Sequence, residues 1–164
     1  MNKLPKRKSV RIPEYDYSRN GAYFVTICVD KMQKVLSKIE GGMEPVGANI
    51  VRPKLTQIGK IVDNAIKEIP NNYKDIFIDI YAIMPNHIHL IIRIDGDGRT
   101  MFAPTISRII KQLKGVVTKQ IGKPIWQKSF YEHIIRNEAD YSEIWQYIEN
   151  NPLKWELDKY YEEQ

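Results

Sequence analysis

The sequence has one cysteine, three histidines and no long apolar run in its 164 residues. The single cysteine, Cys28, excludes an intrachain disulfide and fits a reducing compartment. No stretch approaches the roughly 20 apolar residues of a membrane span, and no signal-type apolar region follows the basic N-terminus. Internal repeats and low-complexity linkers are lacking as well. We therefore expect a single cytoplasmic domain, not attached to a membrane, over residues 1–164.

Basic residues outnumber acidic ones, 25 Lys and Arg against 20 Asp and Glu, and their distribution is uneven. Residues 1–131 carry 22 basic and 11 acidic side chains, whereas residues 132–164 carry 3 and 9. A basic body predicts a polyanionic partner, nucleic acid before a membrane surface, although Lys-rich surfaces also keep proteins soluble. Residues 1–20 are a basic N-terminal arm, and its candidate phosphate contacts are Lys6, Arg7, Lys8 and Arg11.

Alternating and β-branched segments predict a sheet built from hairpins. Pro85 and Asn86 provide a tight turn between the last two of these segments. Two of the five segments are short and flank a Gly-rich connection. The predicted strands are residues 22–29, 34–42, 48–55, 75–83 and 87–94.

Three segments have the apolar spacing of helices. The first begins after the N-cap candidate Thr56 and ends at Pro70, and the second lies within residues 104–122. The third runs from Asp140 to Asn150, before a proline that ends it. Hairpin strands interrupted by helices predict an α+β domain, an antiparallel sheet with helices packed on it. The polar face of the second helix adds three candidate DNA contacts, although such faces are usually only solvated: Arg108, Lys111 and Lys119.

Two of the three histidines, His87 and His89, stand one residue apart in the apolar run "HIHLIIRI". Because side chains alternate along a strand, both imidazoles share one face with Ile91 and Arg93, while the other face is wholly apolar core. The pair is spaced for one metal ion, but two partly buried histidines satisfied by backbone or water have the same pattern. A catalytic ion also usually takes a third protein ligand.

A second element lies in "WQYIENNPLKW", where Tyr147 and Asn151 are four residues apart on one helical face. "MPNHIHLII" followed by this element resembles the single-tyrosine, His-hydrophobic-His transposases, and in particular the REP-associated tyrosine transposases. The resemblance extends to "RIPEYDYSRNGAYFVTICV" and "IWQKSFYEHIIRNEADY" and so covers most of the chain. It implies a ferredoxin-like domain whose catalytic helix and C-terminal tail occupy residues 140–164.

The resemblance also implies roles for particular residues. His87 and His89 match the metal-binding pair, Tyr147 matches the nucleophile, and Asn151 matches the polar residue that completes the metal site. Asn150 is the alternative, because the proline after Asn151 disfavours helical backbone there. The implied cofactor is a divalent ion, Mg²⁺ or Mn²⁺. Since two imidazoles and an amide carry no charge, the set suits Mn²⁺ somewhat better than Mg²⁺.

The implied activity is metal-dependent nicking and joining of single-stranded or hairpin DNA, with REP-like palindromes as targets. Tyr147 would form a 5′-phosphotyrosine, which a second 3′-hydroxyl could attack to rejoin DNA. The active unit is a monomer or a homodimer. One alternative is a hairpin-binding protein derived from a transposase without turnover. Another is a metal-dependent hydrolase, which predicts an acidic residue on the histidine strand, and "HIHLIIR" has none.

Aromatic residues are candidate stacking surfaces for unpaired bases, although aromatics are more often core. Tyr131 and Tyr81 also rival Tyr147 as nucleophiles. We expect Tyr81 to point into packing and Tyr131 to have an apolar setting, while His133 is expected to be structural or to support the site. The stacking candidates are Tyr15, Tyr17, Trp126, Phe130 and Tyr131.

Overall fold

The computed structural model describes residues 19–39, 53–96, 104–158 and 160. No helix in these ranges is both long and apolar enough to cross a membrane. The N-terminal arm lies outside the described residues, and with it Lys6, Arg7, Lys8, Arg11, Tyr15 and Tyr17. The strands are β1 (Gly21–Cys28), β2 (Ser37–Lys38), β3 (Lys54–Leu55), β4 (Ile76–Ile83), β5 (His87–Ile94) and β6 (Tyr131–Ile135). The helices are α1 (Gln57–Lys67), α2 (Ile69–Asn72), α3 (Ile106–Ile121) and α4 (Glu138–Asn150).

The main sheet has four strands in the order β4-β5-β1-β6, and every neighbouring pair is antiparallel. Helix α1 lies in the connection from β1 to β4, and α3 lies in the connection from β5 to β6. This βαββαβ arrangement is the ferredoxin-like topology, so the predicted α+β class is confirmed. The short strands β2 and β3 pair separately with each other.

Most element boundaries agree with the local sequence signals. Strand β5 has the predicted bounds, and Thr56 and Thr105 cap α1 and α3 by accepting hydrogen bonds from backbone N–H groups. Helix α1 ends at Lys67, and Pro70 lies in the first turn of α2, where a missing N–H costs nothing. Helix α4 begins two residues before the predicted start, because Asn137 caps it. Strand β6 was not predicted at all.

The larger core lies between the sheet and the helices α1 and α3. Its sheet side contains the apolar face of β5 and the inward side chains of β1. Helix α1 comes so close to the segment before β2 that a Cβ at Gly59 would lie 1.9 Å from the carbonyl oxygen of Leu36. A glycine is therefore required there by contact rather than by backbone angle.

Helix α4 covers the other face of the sheet, which carries the histidines. Two polar contacts hold its first turns: the Tyr141 hydroxyl donates to Asp79 at 2.9 Å, and His133 Nε2 lies 2.9 Å from the Asp140 carboxylate. Further along, Ile148 joins a smaller buried cluster. His133 thus has the structural role that was one of its two expected roles, since it connects β6 to α4.

Candidate active site

His87 and His89 point at each other from the middle of the molecule. Their side chains are 0% and 1% exposed, and their Nε2 atoms are 2.9 Å apart. The far nitrogen of each ring has its own partner: His87 Nδ1 lies 2.8 Å from Asn86 Oδ1, and His89 Nδ1 lies 2.8 Å from Thr26 Oγ1. These contacts fix both ring orientations, as the outer partners of metal-binding histidines do.

The Asn86 amide determines the tautomer of His87. Its Nδ2 donates to the backbone oxygen of Tyr160, so its Oδ1 accepts from Nδ1–H of His87. The neutral His87 ring then has its lone pair on Nε2, directed at His89. A lone pair aimed at a second imidazole nitrogen is satisfied either by a proton on His89 Nε2 or by a cation bound to both nitrogens. The second arrangement is that of a metal site.

Tyr147 stands next to this pair on α4. Its hydroxyl lies 3.4 Å from His89 Nε2, its ring centroid lies 5.2 Å from that of His89, and the side chain is 38% exposed. The rival Tyr81 pairs in register with Leu90, on the sheet face that packs against α1 and α3. Its hydroxyl donates to Asp63 at 2.7 Å, as the expectation of packing implied.

Asn151, not Asn150, is directed towards the histidine side. Its backbone is helical, at φ −57° and ψ −41°, despite the following proline, and its side chain is 3% exposed. Its Nδ2 donates to Asp158, while its Oδ1 is buried without a hydrogen-bond partner among the residues that the structure describes. Asn150 Nδ2 instead donates to the carbonyl of Gln146 at 2.8 Å, within α4.

Asp158 is a site residue that the sequence did not reveal. One carboxylate oxygen of Asp158 and one nitrogen from each of His87 and His89 all lie within 4.8 Å of one another. The chain returns after α4, and Tyr160 N–H donates to Asp158 Oδ1 at 2.7 Å. The centroid of the Tyr160 ring also lies 4.6 Å from that of the His87 ring, with the two planes tilted by 43°. No spacing motif marks Asp158, because its approach depends on this return of the chain.

The donors fit a divalent ion. Two imidazole nitrogens, a carboxylate and a buried amide oxygen without a partner are a ligand set that such ions accept. With Asp158 the set is not uncharged, contrary to the expectation from His87, His89 and Asn151 alone. A hydrolase was expected to have an acidic residue on the histidine strand, and that strand has none. Asp158 supplies a carboxylate at the site from the tail instead, so hydrolysis is not excluded by the sequence of the strand.

The protein environment keeps the Tyr147 phenol protonated. Burial and then the negative charge of Asp158 raise the pKa of Tyr147 well above its ordinary value near 10. Asp158 and Asn151 have opposite effects, since Asp158 raises the pKa of Tyr147 further and Asn151 lowers it. A positive charge at the histidine pair would act in the opposite direction.

An open cleft of about 560 Å³ lies beside Tyr147, and Tyr131 is at its edge. Tyr131 is 41% exposed, so the apolar setting expected for it is wrong. The expectation overlooked that β6 is an edge strand with Thr26 as the register partner of Tyr131. Trp126 and Phe130 instead pack against the core of α1 and α3.

The predicted cations of α3 lie apart from the site. Arg108, Lys111 and Lys119 are exposed on a helix that packs on the sheet face opposite the histidines. The structure therefore does not bring them together with Tyr147. Their contact with DNA stays a prediction.

Known proteins similar to this chain point to one family. No protein-family model matches it. A protein of uncharacterized function from Haemophilus influenzae is 32% identical over 94% of this chain and 93% of its own length. Two relatives carry the name REP-associated tyrosine transposase. The one from Haemophilus influenzae is 25% identical over 85% of this chain and 74% of its own length, and the one from Escherichia coli K12 is 37% identical over 47% and 44%.

A solved structure has the same architecture. It is a REP-associated tyrosine transposase bound to a REP hairpin, with a TM-score of 0.63 and 25% identity, and the match covers 90% of this chain and 77% of that one. The βαββαβ fold, the histidine pair on β5 and the tyrosine on α4 agree with the resemblance found in the sequence. In sequence and in fold, the chain is a relative of the REP-associated tyrosine transposases.

Proposed function

We propose that this protein nicks and rejoins single-stranded or hairpin DNA by transesterification, with Tyr147 as the nucleophile. The observation that supports it most directly is the Tyr147 hydroxyl, 3.4 Å from one of two buried imidazole nitrogens that face each other. Of the tyrosines that the structure describes, Tyr147 combines this contact with a position at an open cleft.

The reaction conserves the number of phosphodiester bonds. The Tyr147 oxygen forms a bond to phosphorus, and the bond between that phosphorus and the 3′-oxygen breaks. The phenol proton is lost, the departing 3′-oxygen gains a proton, and the 5′ end stays attached as a phosphotyrosine. A second 3′-hydroxyl can then attack the same phosphorus and release Tyr147, so no nucleotide cofactor is consumed.

The other site residues orient the reacting groups and help to neutralise the charge of the phosphate. Asn86 and Thr26 hold the two rings so that both Nε2 atoms face the same point. His87, His89, Asp158 and Asn151 would hold a divalent ion, which supplies positive charge to the phosphate when bound. Ile148, the buried residue of α4, anchors the helix on the sheet, so that the neighbouring phenol is held at the cleft.

DNA with a hairpin and unpaired flanks is the proposed substrate. The chain has a net charge of +5, and its structural relative was solved with a REP hairpin. The proposed site is built from a single chain, since β5, α4 and the returning tail supply its residues. This supports a monomer as the active unit, with a homodimer as the alternative.

The test is a search for a covalent adduct. End-labelled DNA hairpins with single-stranded flanks are incubated with the protein and Mn²⁺ or Mg²⁺, and denaturing gels are read for a protein–DNA band. We expect an adduct that requires the metal, disappears with chelator and maps to the peptide containing Tyr147. Label released as free nucleotide or 5′-phosphate, without an adduct, would support the hydrolase instead.

A hairpin-binding protein without turnover is the second candidate. The observation favouring it is the enclosure of the imidazole pair, with the rings of Trp155 and Tyr160 at 5.9 Å and 4.6 Å from that of His87. That candidate predicts tight hairpin binding without an adduct in either metal.

A further inference from the structure

The cleft beside Tyr147 has an exposed aromatic ring that the proposed chemistry does not use. Tyr131 lies on the edge strand β6, and its register partner Thr26 is also the partner of His89 on the other side. Cross-strand neighbours share a face, so the Tyr131 side chain is on the histidine face of the sheet. An aromatic side chain that is 41% exposed at an open cleft contributes little to the core.

Phe24 connects this ring to the nucleophile. Its centroid lies 6.1 Å from that of Tyr131 and 6.0 Å from that of Tyr147, with interplanar angles of 70° and 88°. Phe24 itself is only 8% exposed and is held in the smaller core, so it is a rigid floor between the two tyrosines. The exposed Tyr131 ring therefore has a fixed position relative to the Tyr147 hydroxyl, with Phe24 between the two tyrosines.

The charges around the cleft favour binding of a nucleobase over binding of several consecutive phosphates. Of the charged side chains lining it in the described chain, Glu143 and Asp158 are acidic and Lys154 is basic. A groove that follows a phosphate backbone needs an excess of cations, which is lacking here. A nucleobase carries no charge and presents a face that stacks on any aromatic ring, and the volume suits a ligand of that size.

We propose that Tyr131 is a stacking platform for the unpaired base next to the scissile phosphate. It would hold the nucleotide so that its phosphate lies near the Tyr147 hydroxyl, and Lys154 would contact the following phosphate. Tyr131 is a positioning residue here, because it does not touch the reacting atoms. The proposal rests on the proposed function, and it extends that function by naming the DNA feature that the cleft takes.

The test uses binding, so it does not depend on cleavage. Tyr147→Phe is the background, and the probe is a DNA hairpin whose single-stranded flanks carry one 2-aminopurine at each position in turn. We expect quenching of the fluorescence at one flank position, retained in Tyr131→Phe and lost in Tyr131→Ala. Affinity should fall about tenfold or more in Tyr131→Ala. The matched control is Phe77→Ala, which removes an aromatic ring of 39% exposure from the opposite edge strand and should change neither readout.

An abasic nucleotide at the quenched position completes a double-mutant cycle. Removal of the base should weaken binding to the Tyr131 protein but not to Tyr131→Ala, because the stacking partner is already gone. Equal losses in both proteins, or quenching that survives in Tyr131→Ala, would overturn the proposal. The adduct assay on the wild-type protein reports separately on the proposed function. Failure of the stacking proposal can therefore be distinguished from failure of the proposed function.

Discussion

At the scale of the residue, the site depends on the side chains that would do the chemistry and equally on the hydrogen-bond partners that orient them. Each imidazole is held through its Nδ1, and the amide of Asn151 is oriented by Asp158. Asn151 keeps helical backbone angles before a proline, which the local rule disfavours. Its buried position at the end of α4 overrides that preference.

Tyr147→Phe removes one oxygen and little volume. We expect the variant to fold and to bind hairpin DNA as the parent does, because the ring contacts with Phe24 and His89 are kept. Formation of the adduct should fall below detection, since the attacking atom is gone. Thermal melting and gel-shift titration measure the first two properties, and the denaturing gel measures the third. An adduct of normal yield in this variant would transfer the role to another tyrosine.

Asp63→Asn tests a polar contact far from the site. Burial raises the pKa of Asp63, but hydrogen bonds from Lys67 and Tyr81 outweigh it and hold the pKa below its ordinary value. Because the pKa is lower in the folded state, the carboxylate stabilises the fold above the ordinary pKa, and this is lost as the pH falls through the folded value.

We therefore expect the free energy of unfolding of Asp63→Asn to be lower than that of the parent by about 1 kcal/mol at pH 7. The difference should shrink as the pH is lowered towards 3, in urea titrations at both ends. Lys67→Met is the control: its side chain is 60% exposed, so the loss should be no more than about 0.5 kcal/mol. A difference independent of pH would rule out the carboxylate charge as the cause.

At the scale of the element, helix α1 makes a close contact with the backbone of Leu36. Gly59 lies in its first turn, where an added Cβ would meet the Leu36 backbone, whereas a Cβ at Gly115 in α3 would meet nothing within 4 Å. The two glycines are therefore a matched pair in two helices of the same core.

Gly59→Ala should lower the free energy of unfolding by about 1 to 3 kcal/mol, because the helix must shift away from Leu36. Gly115→Ala should raise it by up to about 1 kcal/mol, since alanine favours helix and the position is open. Chemical denaturation of both variants measures the two shifts. Shifts of the same sign would show that helix propensity, rather than contact, governs these positions.

Elements with strong local signals could be predicted from the sequence, and elements defined by distant partners could not. Strand β5 and helix α3 have clear periodicity, and threonine caps mark the starts of both long core helices. Strand β6 has five residues with Glu132 and His133 inside, and only its pairing with β1 makes it a strand. Asp158 was missed for a related reason, because the return of the tail is not visible in the residue spacing.

At the scale of the whole molecule, the two faces of the sheet differ in charge. Helix α4 and the tail carry an acidic excess beside the site, while α3 carries exposed cations on the opposite face. Removal of three cations by Arg108→Ala, Lys111→Ala and Lys119→Ala tests whether DNA also contacts α3.

If each cation contacts a phosphate, the slope of log affinity against log salt should become less steep by about 2 to 3 in the triple variant. The control removes the same charge from other exposed positions, Lys60, Lys67 and Lys74, and should leave the slope nearly unchanged. Filter-binding titrations over a range of salt measure both. Identical slopes in the two triple variants would mean that net charge alone attracts the DNA.

The order of the strands has a consequence for how the site is protected from local opening. Strand β5 lies inside the sheet with a neighbour on each side, and apolar side chains bury it from both faces. Its amide hydrogens can exchange with solvent only when the domain unfolds as a whole. Helix α4 rests on the sheet through a smaller cluster and through polar contacts of Asp140, Tyr141 and Tyr147. We therefore expect its amides to exchange through partial opening. We therefore expect the histidine half of the site to persist as long as the fold does and the tyrosine half to open separately.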